Sequence, residues 1–307
     1  MKRTSAPLAF CLGLAGLAVS AALLARGAPF MKTWFYCFAW WSLLLVLDAA
    51  NLRRTGVSPM TADFPVFVRT ALFSVPLWLI FEAFNIRLRN WSYHGLPPDL
   101  PVRWLGYFAA FATVTPALKE LAALFQSFGR ERSGPRHLKV TPALLGSLTA
   151  SGALLLALPL VAPRLFFPLV WLGFIFLLDP VNYRRGRPSF LRDLEAGRRR
   201  SVVSWMIAGL AAGLIWEFLN WWSGSHWEYH IPYLNFGRIF QMPIFGFGGF
   251  IPFALEIFAL DVYVQGVYEK TRSRAAWRIV FWAAVALFCA AVFFLIDRYS
   301  LGSGLNT

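Results

Sequence analysis

Apolar runs of about 20 residues, separated by short polar stretches, make up most of the chain. An α-helix of that length spans about 30 Å of hydrocarbon, which is the core of a bilayer. The pattern therefore predicts an all-α fold: a polytopic membrane helix bundle with about nine transmembrane helices. The predicted spans are about 7–26, 30–50, 67–88, 103–127, 141–161, 165–183, 201–222, 239–266 and 277–297.

Polar residues inside these apolar runs occur twice at a nearly constant spacing. Asp48 recurs as Asp179 (179 − 48 = 131), and Glu82 recurs as Glu217 (217 − 82 = 135). A fixed-period duplication defines the architecture of a chain. The other repeated pairs are Trp40/Trp171, Asn51/Asn182, Arg53/Arg184, Arg54/Arg185, Ser58/Ser189, Asn85/Asn220, Trp91/Trp227, Tyr93/Tyr229, His94/His230, Pro116/Pro252 and Glu120/Glu256.

The duplication predicts two parallel four-helix repeats plus one C-terminal helix. Four spans per repeat is an even number, so both halves would enter and leave on the same side of the membrane, as in parallel-repeat transporters. Pro7 corresponds to Pro142, which argues that the first run is a helix of the repeat and not a signal peptide. We expect boundaries at 1–130, 131–268 and 269–307, the last being the additional transmembrane helix.

Composition and charge support a membrane location. Hydrophobic residues make up 58% of the chain and charged residues 14%, against about 25% charged residues in soluble domains. The net charge of +14 is concentrated at alternate ends of the predicted spans. The positive-inside rule then predicts a multi-pass protein of the inner membrane, with a cytoplasmic N-terminus and an extracytoplasmic C-terminus. We expect contacts with membrane lipids and no nucleic acid, since the chain has no basic soluble domain.

Two repeated carboxyls are candidates for chemistry. Glu82 and Asn85 are three residues apart, as are Glu217 and Asn220, so each pair shares one helix face. Burying a carboxyl in a membrane-spanning helix costs free energy, so such a residue is by default a candidate functional residue. Held against an aromatic wall in low dielectric, it is expected to stay protonated and to act as a proton donor. The structural alternative is a hydrogen-bonded pair that holds the halves together.

Other repeated acids favour different roles. Glu120 and Glu256 each follow a proline by four residues, and Lys119 beside Glu120 predicts an ion pair in the first half only. We place both glutamates with the candidate catalytic residues. The residues near the other end of the spans are predicted to be structural, with an Asp–Arg pair at the helix end: Asp48, Asn51, Asp179 and Asn182.

The loops after Glu82 and Glu217 carry Trp-x-Tyr-His in both halves, at Trp91–His94 and Trp227–His230. Trp and Tyr are also ordinary interfacial anchors. The glycines and prolines of 241–252 predict a break in the eighth span. No spacing typical of a metal site or a cofactor-binding loop occurs, so we expect no metal and no cofactor, although His94 and His230 could meet.

The Trp216-Glu217 pair resembles the "WE" of integral-membrane terpene cyclases. The tandem halves, each with a Trp-x-Tyr loop leading into a span with Pro and Glu, are similar to the duplicated lycopene cyclase domain over about 60 residues of each half. The PxEE pattern of those enzymes is absent here, and Phe81 stands where a Trp is expected. The resemblance implies that buried acids protonate an isoprenoid double bond and steer the resulting carbocation.

Three functions fit the sequence. The leading hypothesis is a cyclase-like or isomerase-like enzyme acting on an isoprenoid or other hydrophobic small molecule, with Glu217 as proton donor, Glu82 as its partner, and Asn85 and Asn220 orienting them. A transporter or channel that uses the same carboxylates for proton or cation coupling is the alternative, and a non-catalytic scaffold is the third. Protein partners are not predicted. The expected substrate-binding residues are Trp91, Tyr93, His94, Trp216, Trp221, Trp222, Trp227, Tyr229 and His230.

Overall fold

The prediction of an all-α membrane bundle is confirmed. A computed structural model of the chain describes residues 6–129 and 138–302. In these ranges, nine helical stretches are long and apolar enough to cross a membrane. The helices are α1 (Ala6–Ala25), α2 (Pro29–Thr55), α3 (Pro59–Ala62), α4 (Phe64–Leu88), α5 (Leu100–Phe111), α6 (Val114–Ser127), α7 (Pro142–Val161), α8 (Pro163–Phe166), α9 (Val170–Arg184), α10 (Phe190–Glu195), α11 (Arg199–Trp222), α12 (Phe247–Thr271) and α13 (Ala275–Tyr299).

Turn and capping residues set the starts of several helices. Asp63 caps α4 by accepting a hydrogen bond from the Val66 amide, and Asp99 caps α5 in the same way through the Val102 amide. Thr141 caps α7. Each of these caps is followed within two residues by a proline, which suits the first turn of a helix because its missing N–H would have no partner there.

The helices differ in how much of their surface the protein covers. In α1, α7 and α13, only 17% of the residues in the apolar 18-residue segment are buried inside the protein, against 50% in α4 and α11. Helices α4, α6, α11 and α12 pack on one another at the centre, whereas α1 packs on α2 and α7 packs on α9. The three peripheral helices therefore present their apolar side chains to the surroundings, as expected of helices that face lipid.

Two short strands join the halves. Strand β1 (Trp91–His94) follows α4, and β2 (His226–Tyr229) follows α11. They pair antiparallel, with Trp91 opposite Tyr229 and Tyr93 opposite Trp227. Exchanging the repeated residues converts one of these pairs into the other, so this register is the one that a two-fold axis through the ladder would produce. The residues after α13 pair with the other edge of β1, because the Tyr93 amide donates to the Ser300 carbonyl and the Gly302 amide donates to the Tyr93 carbonyl.

The halves differ between the strand and the helix that follows it. Residues 100–111 form helix α5, whereas the residues 136 positions later, 236–247, form the two-residue strands β3 (Arg238–Ile239) and β4 (Met242–Pro243) and a 3₁₀ turn at Ile244–Gly246. The eighth span thus becomes α-helical only at Phe247, so the glycine- and proline-rich stretch is non-helical in its first part. In the first half, Asp297 of α13 holds α5 by accepting hydrogen bonds from Arg103, Trp104 and Tyr107.

Two charge pairings expected from the sequence are wrong. Asp48 accepts a hydrogen bond from the Met60 amide, and Asp179 accepts from the Phe190 and Leu191 amides. Both aspartates thus bind free amides at the start of the short helices α3 and α10, where a carboxylate offsets the unpaired N–H groups. They do not pair with the double arginines.

Lys119 pairs with Asp261 of the other half, at 2.6 Å, and not with Glu120 beside it. Neighbouring residues on a helix point about 100° apart, so a side chain cannot easily turn back to its sequence neighbour. Lys119 therefore links α6 to α12 across the interface between the halves.

Candidate active site

Glu82 is fully buried and sits at the centre of a hydrogen-bonded cluster in the first half. Its carboxyl accepts from the Trp78 indole at 2.8 Å, from the Trp91 indole at 3.1 Å and from the Tyr93 hydroxyl. Trp78 lies one turn earlier on α4, and the other two donors come from β1. All three donors are neutral, so the carboxyl is solvated by hydrogen bonds and not by a counter-ion.

Glu217 occupies the matching place in the second half with one donor fewer. Its Oε1 accepts from the Tyr229 hydroxyl at 2.9 Å and from the Trp227 indole at 3.3 Å. The position of Trp78 is taken by Gly213 (78 + 135 = 213), and the ring of Phe250 fills the space that a side chain would need there. Within the described part of the chain, the buried Oε2 of Glu217 has no hydrogen-bond partner.

Asn85 and Asn220 hold the strands and do not touch the carboxyls. Each carboxamide donates to a tryptophan carbonyl, that of Trp91 or Trp227, at 2.8 Å. Each also accepts from the amide of the same tryptophan, at 3.2 Å in the first half and 2.8 Å in the second. The i, i+3 spacing therefore serves to fix the backbone of the loop whose side chains reach back to the glutamate.

The strand ladder has two chemically different faces, because successive residues of a strand point to opposite sides. The inner face carries Trp91, Tyr93, Trp227 and Tyr229, which reach the two glutamates. The outer face carries the intervening residues. The Trp-x-Tyr repeat is thus a strand pattern with every second residue directed at a buried carboxyl.

Histidines gather on the outer face. The Ser92 hydroxyl lies 3.0 Å from Nε2 of His94 and 2.8 Å from Nε2 of His230, so both repeated histidines contact the same hydroxyl. His226 Nε2 lies 3.3 Å from the Glu228 carboxylate. Among the described residues, no group of three or more His, Cys, Asp or Glu is arranged to hold a metal ion.

A cavity of about 370 Å³ lies on the inner side of the ladder. Ligand pockets in proteins are typically about 300–1,000 Å³ and mostly apolar. Its wall includes inner-face residues of both halves, Tyr93 and Tyr229 among them, together with Trp216 from α11. Other aromatic wall residues are Trp34, Tyr36, Trp78, Trp91, Tyr107, Phe111, Phe167, Trp171, Trp227, Phe245, Phe250 and Phe253. These residues come from both ladder strands and from several of the helices.

Several residues proposed from the sequence lie outside this cavity. Trp221 and Trp222 are half exposed, at 50% and 54%, because they follow Asn220 by one and two positions and so turn away from its buried face. His94 and His230 are on the outer face of the ladder. The expectation that these four residues line the substrate pocket is not met by their positions.

Glu120 and Glu256 are buried in separate places. The Asn51 carboxamide donates to both the carboxyl and the carbonyl of Glu120, at 2.7 and 2.9 Å. Glu256 accepts from the Phe174 amide at 2.7 Å, and Asn182 donates to the Ala259 carbonyl. These contacts tie α6 to α2 and α12 to α9, and neither glutamate lines the cavity.

The tyrosines connect the carboxyls to the cavity. Burial and the neighbouring Glu82 raise the pKa of the Tyr93 hydroxyl well above its usual value, and burial and Glu217 do the same for Tyr229. Both hydroxyls therefore remain protonated at any physiological pH and can donate to their glutamate. Both tyrosines also line the cavity, whereas neither glutamate does.

Sequence reasoning missed residues that do not repeat. Trp78, Tyr36, His226, Asp261 and Asp297 have no counterpart of the same type in the other half, so the duplication could not single them out. Comparison of the chain with protein-family models, with curated proteins and with solved structures finds no match. The similarity to membrane terpene cyclases therefore stays a prediction.

Proposed function

We propose that this protein is a membrane isomerase or cyclase that moves a proton on an isoprenoid or similar apolar substrate bound in the cavity. The observation that carries the proposal is the pair of Glu–Tyr hydrogen bonds, Glu217–Tyr229 and Glu82–Tyr93, whose two tyrosines line one aromatic cavity. Two such pairs on one cavity provide one group to deliver a proton and another to remove one.

The difference between the hydrogen bonds of the two carboxyls supports different roles for them. Glu82 accepts from three donors, which stabilise its anionic form, whereas Glu217 accepts from two and has one oxygen with no partner among the described residues. A buried carboxyl with fewer donors is more stable when it carries its proton. Glu217 is therefore the acid and Glu82 the base.

In the proposed reaction, Glu217 carries its proton on Oε1, and the Tyr229 hydroxyl rotates toward the substrate. The hydroxyl gives its proton to one carbon of a substrate double bond as its oxygen takes the proton from Glu217. The electron pair of that bond forms the new C–H bond, and the neighbouring carbon becomes cationic. In a cyclisation, a second double bond of the substrate attacks the cation and closes a ring. In an isomerisation, no ring forms and the cation stays on the same carbon. Loss of a proton from an adjacent carbon, through Tyr93 to Glu82, then forms a double bond. No electrons are gained or lost, and the two glutamates exchange protons through solvent before the next turnover.

The aromatic wall supports such a charge. In the cavity wall, the ring centroid of Phe253 lies 5.8 Å from that of Trp171 and 5.9 Å from that of Trp216. Aromatic faces attract a cation by about 0.5–2 kcal/mol each, and they offer no nucleophile that would trap it.

The proposal is tested by expressing the chain in bacteria and comparing isoprenoid and lipid extracts with those of cells that carry an empty vector. We expect a new compound that has the mass of an existing one but a different chromatographic retention, since isomerisation and cyclisation conserve mass. Tyr229→Phe should abolish it. Trp222→Phe, at an exposed site away from the cavity, is the matched control. Unchanged extracts in the presence of proton-coupled uptake by proteoliposomes would favour a transporter, and unchanged extracts without uptake would favour a scaffold.

A further inference from the structure

Four residues of the cavity wall are exposed, and the other described wall residues are buried or half-buried. Pro168 lies in the turn before α9, Leu234 and Phe245 belong to the segment between β2 and α12, and Gly248 lies in the first turn of α12. Leu234 and Phe245 are 36% and 60% exposed. All four come from the second half of the chain, so the side of the cavity that can be reached from outside is the side formed by that half.

The equivalent place in the first half is closed by a hydrogen bond. There, the Trp41 indole of α2 donates to the Ala109 carbonyl of α5 at 3.1 Å. In the second half, Leu172 stands at the position of Trp41 (41 + 131 = 172), and Phe245 stands at that of Ala109 (109 + 136 = 245). A leucine has no N–H to donate, so the contact that joins α2 to α5 has no counterpart between α9 and the segment before α12.

Gly248 has open space beside it. A Cβ added at this position would meet no heavy atom within 4 Å, and its backbone is not in the left-handed region. Its counterpart in the first half is Ala112 (248 − 136 = 112), which is 3% exposed. A side chain at Gly248 can therefore be added without displacing protein atoms, and it would occupy the exposed side of the cavity.

The exposed wall residues lie at the level of the membrane. Pro168 is part of the stretch Pro163–Arg184, and Phe245 and Gly248 are part of the stretch Ile244–Thr271. Both stretches are long and apolar enough to cross a bilayer. The surface around an opening at this level is therefore in contact with lipid.

The charge near these residues has one sign. The segments 160–168 and 231–250 contain no acidic residue and two arginines, Arg164 and Arg238, both exposed. An arginine near the end of a span extends its charged group to the lipid headgroups, while the apolar residues beside it stay in hydrocarbon. This composition suits an opening that faces the acyl chains just below the headgroups.

We propose that the cavity opens sideways into the bilayer, between Pro168 and the turn at 245–248, and that an apolar molecule dissolved in the membrane enters through this opening and not from the aqueous phase. Such a molecule reaches the cavity without exposing its apolar surface to water. The inference concerns entry into the cavity, so it holds whatever reaction follows there.

Photolabelling of the purified full-length chain in lipid nanodiscs tests the route of entry. One probe is a long-chain alkyl diazirine dissolved in the bilayer, the other is a charged, water-soluble diazirine, and mass spectrometry identifies the labelled residues. We expect the membrane probe to label Trp227 and Tyr229, half-buried wall residues of β2, as well as Leu287 of α13, which is 73% exposed. A membrane probe that labels neither β2 residue would overturn the proposal, whether or not the water-soluble probe labels them.

Two glycine variants locate the opening. Gly248→Phe should fill it, and Gly146→Phe is the matched control, because Gly146 is an exposed glycine near the start of α7 that also has no heavy atom within 4 Å of an added Cβ. We expect labelling of Trp227 and Tyr229 by the membrane probe, relative to Leu287, to be lost in Gly248→Phe and kept in Gly146→Phe. Equal labelling in both variants would show that the entry lies elsewhere and would refute the proposal.

Phe245→Ala is the second test, which decides the question if Gly248→Phe lowers the melting temperature. It removes an exposed ring from the rim of the opening, so labelling of the β2 residues should increase. Unchanged or weaker labelling would contradict the proposal. A protein that is labelled as expected but makes no new compound in cells contradicts the proposed function alone, and a new compound without labelling by the membrane probe contradicts the entry route alone.

Discussion

Replacing Glu217 by glutamine separates proton transfer from structural support. The carboxyl uses one oxygen, Oε1, to accept from Tyr229 at 2.9 Å and from Trp227 at 3.3 Å. A glutamine with its carbonyl at that position keeps both hydrogen bonds, and its amide takes the place of an oxygen that has no partner among the described residues. We therefore expect little change in thermal stability and a loss of product of about 100-fold or more, the usual contribution of a general acid.

Leucine at position 217 removes the hydrogen bonds as well as the proton, so it should lower stability in addition to activity. The Trp227 indole retains the Tyr229 hydroxyl as an acceptor at 2.9 Å, so only the Tyr229 hydroxyl loses its partner. One unpaired buried donor costs about 1–3 kcal/mol. Glu82→Leu leaves three donors without their acceptor, which predicts a loss of about 3 kcal/mol or more. Glu82→Leu should thus lose more unfolding free energy than Glu217→Leu.

The assay pairs the melting temperature in detergent with the product level in cells, for Gln and Leu variants of both glutamates. A Glu217→Gln variant that makes the normal amount of product would refute acid catalysis by this residue. Glu217→Leu melting below Glu82→Leu would refute the count of hydrogen bonds on which the magnitudes rest. Trp222→Phe should match the unaltered protein in both measurements.

Three further predictions concern stability in detergent. Asp297→Leu should lower stability by about 3–5 kcal/mol, since it leaves a buried guanidinium on α5 without its carboxylate, and a melt no lower than that of the unaltered protein would contradict the role of α13. Lys119→Met should lower the free energy of unfolding by about 2 kcal/mol, because it leaves the 4%-exposed side chain of Asp261 without its positively charged partner. Adding Asp261→Leu should restore most of that loss. A double variant as unstable as Lys119→Met alone would exclude this pairing. Folding raises the pKa of the Tyr229 hydroxyl, so the protonated hydroxyl stabilises the folded state fully below the unfolded pKa of about 10, and this stabilisation is lost as the pH rises above that value. The melting temperature should therefore fall less above pH 10 in Tyr229→Phe than in the unaltered protein. An equal fall in the two proteins would show that this hydroxyl is not responsible.

The architecture and the location of the site follow from the sequence because they depend on local and periodic properties. Runs of about 20 apolar residues have no stable alternative to helices in a bilayer, and the structure has a helix at each predicted run. The repeated Glu, Asn, Trp and Tyr were identified together because the same four-residue chemistry was present twice. What they share, a carboxyl bonded by the loop that follows it, is built within about 12 residues of chain, from Glu82 to Tyr93 and from Glu217 to Tyr229.

Other features depend on contacts between distant segments, which no local pattern records. The pairing of β1 with β2 brings Tyr93 and Tyr229 to one cavity, although they are 136 residues apart (229 − 93 = 136). Asp297 of α13 bonds to three side chains of residues 100–111, which are helical, whereas the equivalent residues 236–247 form a hairpin and a 3₁₀ turn. Lys119 bonds to Asp261 because the halves pack face to face. Sequence determined which groups are buried in the membrane; only the tertiary structure decided their partners, because a hydrogen bond or an ion pair is set by distance in space.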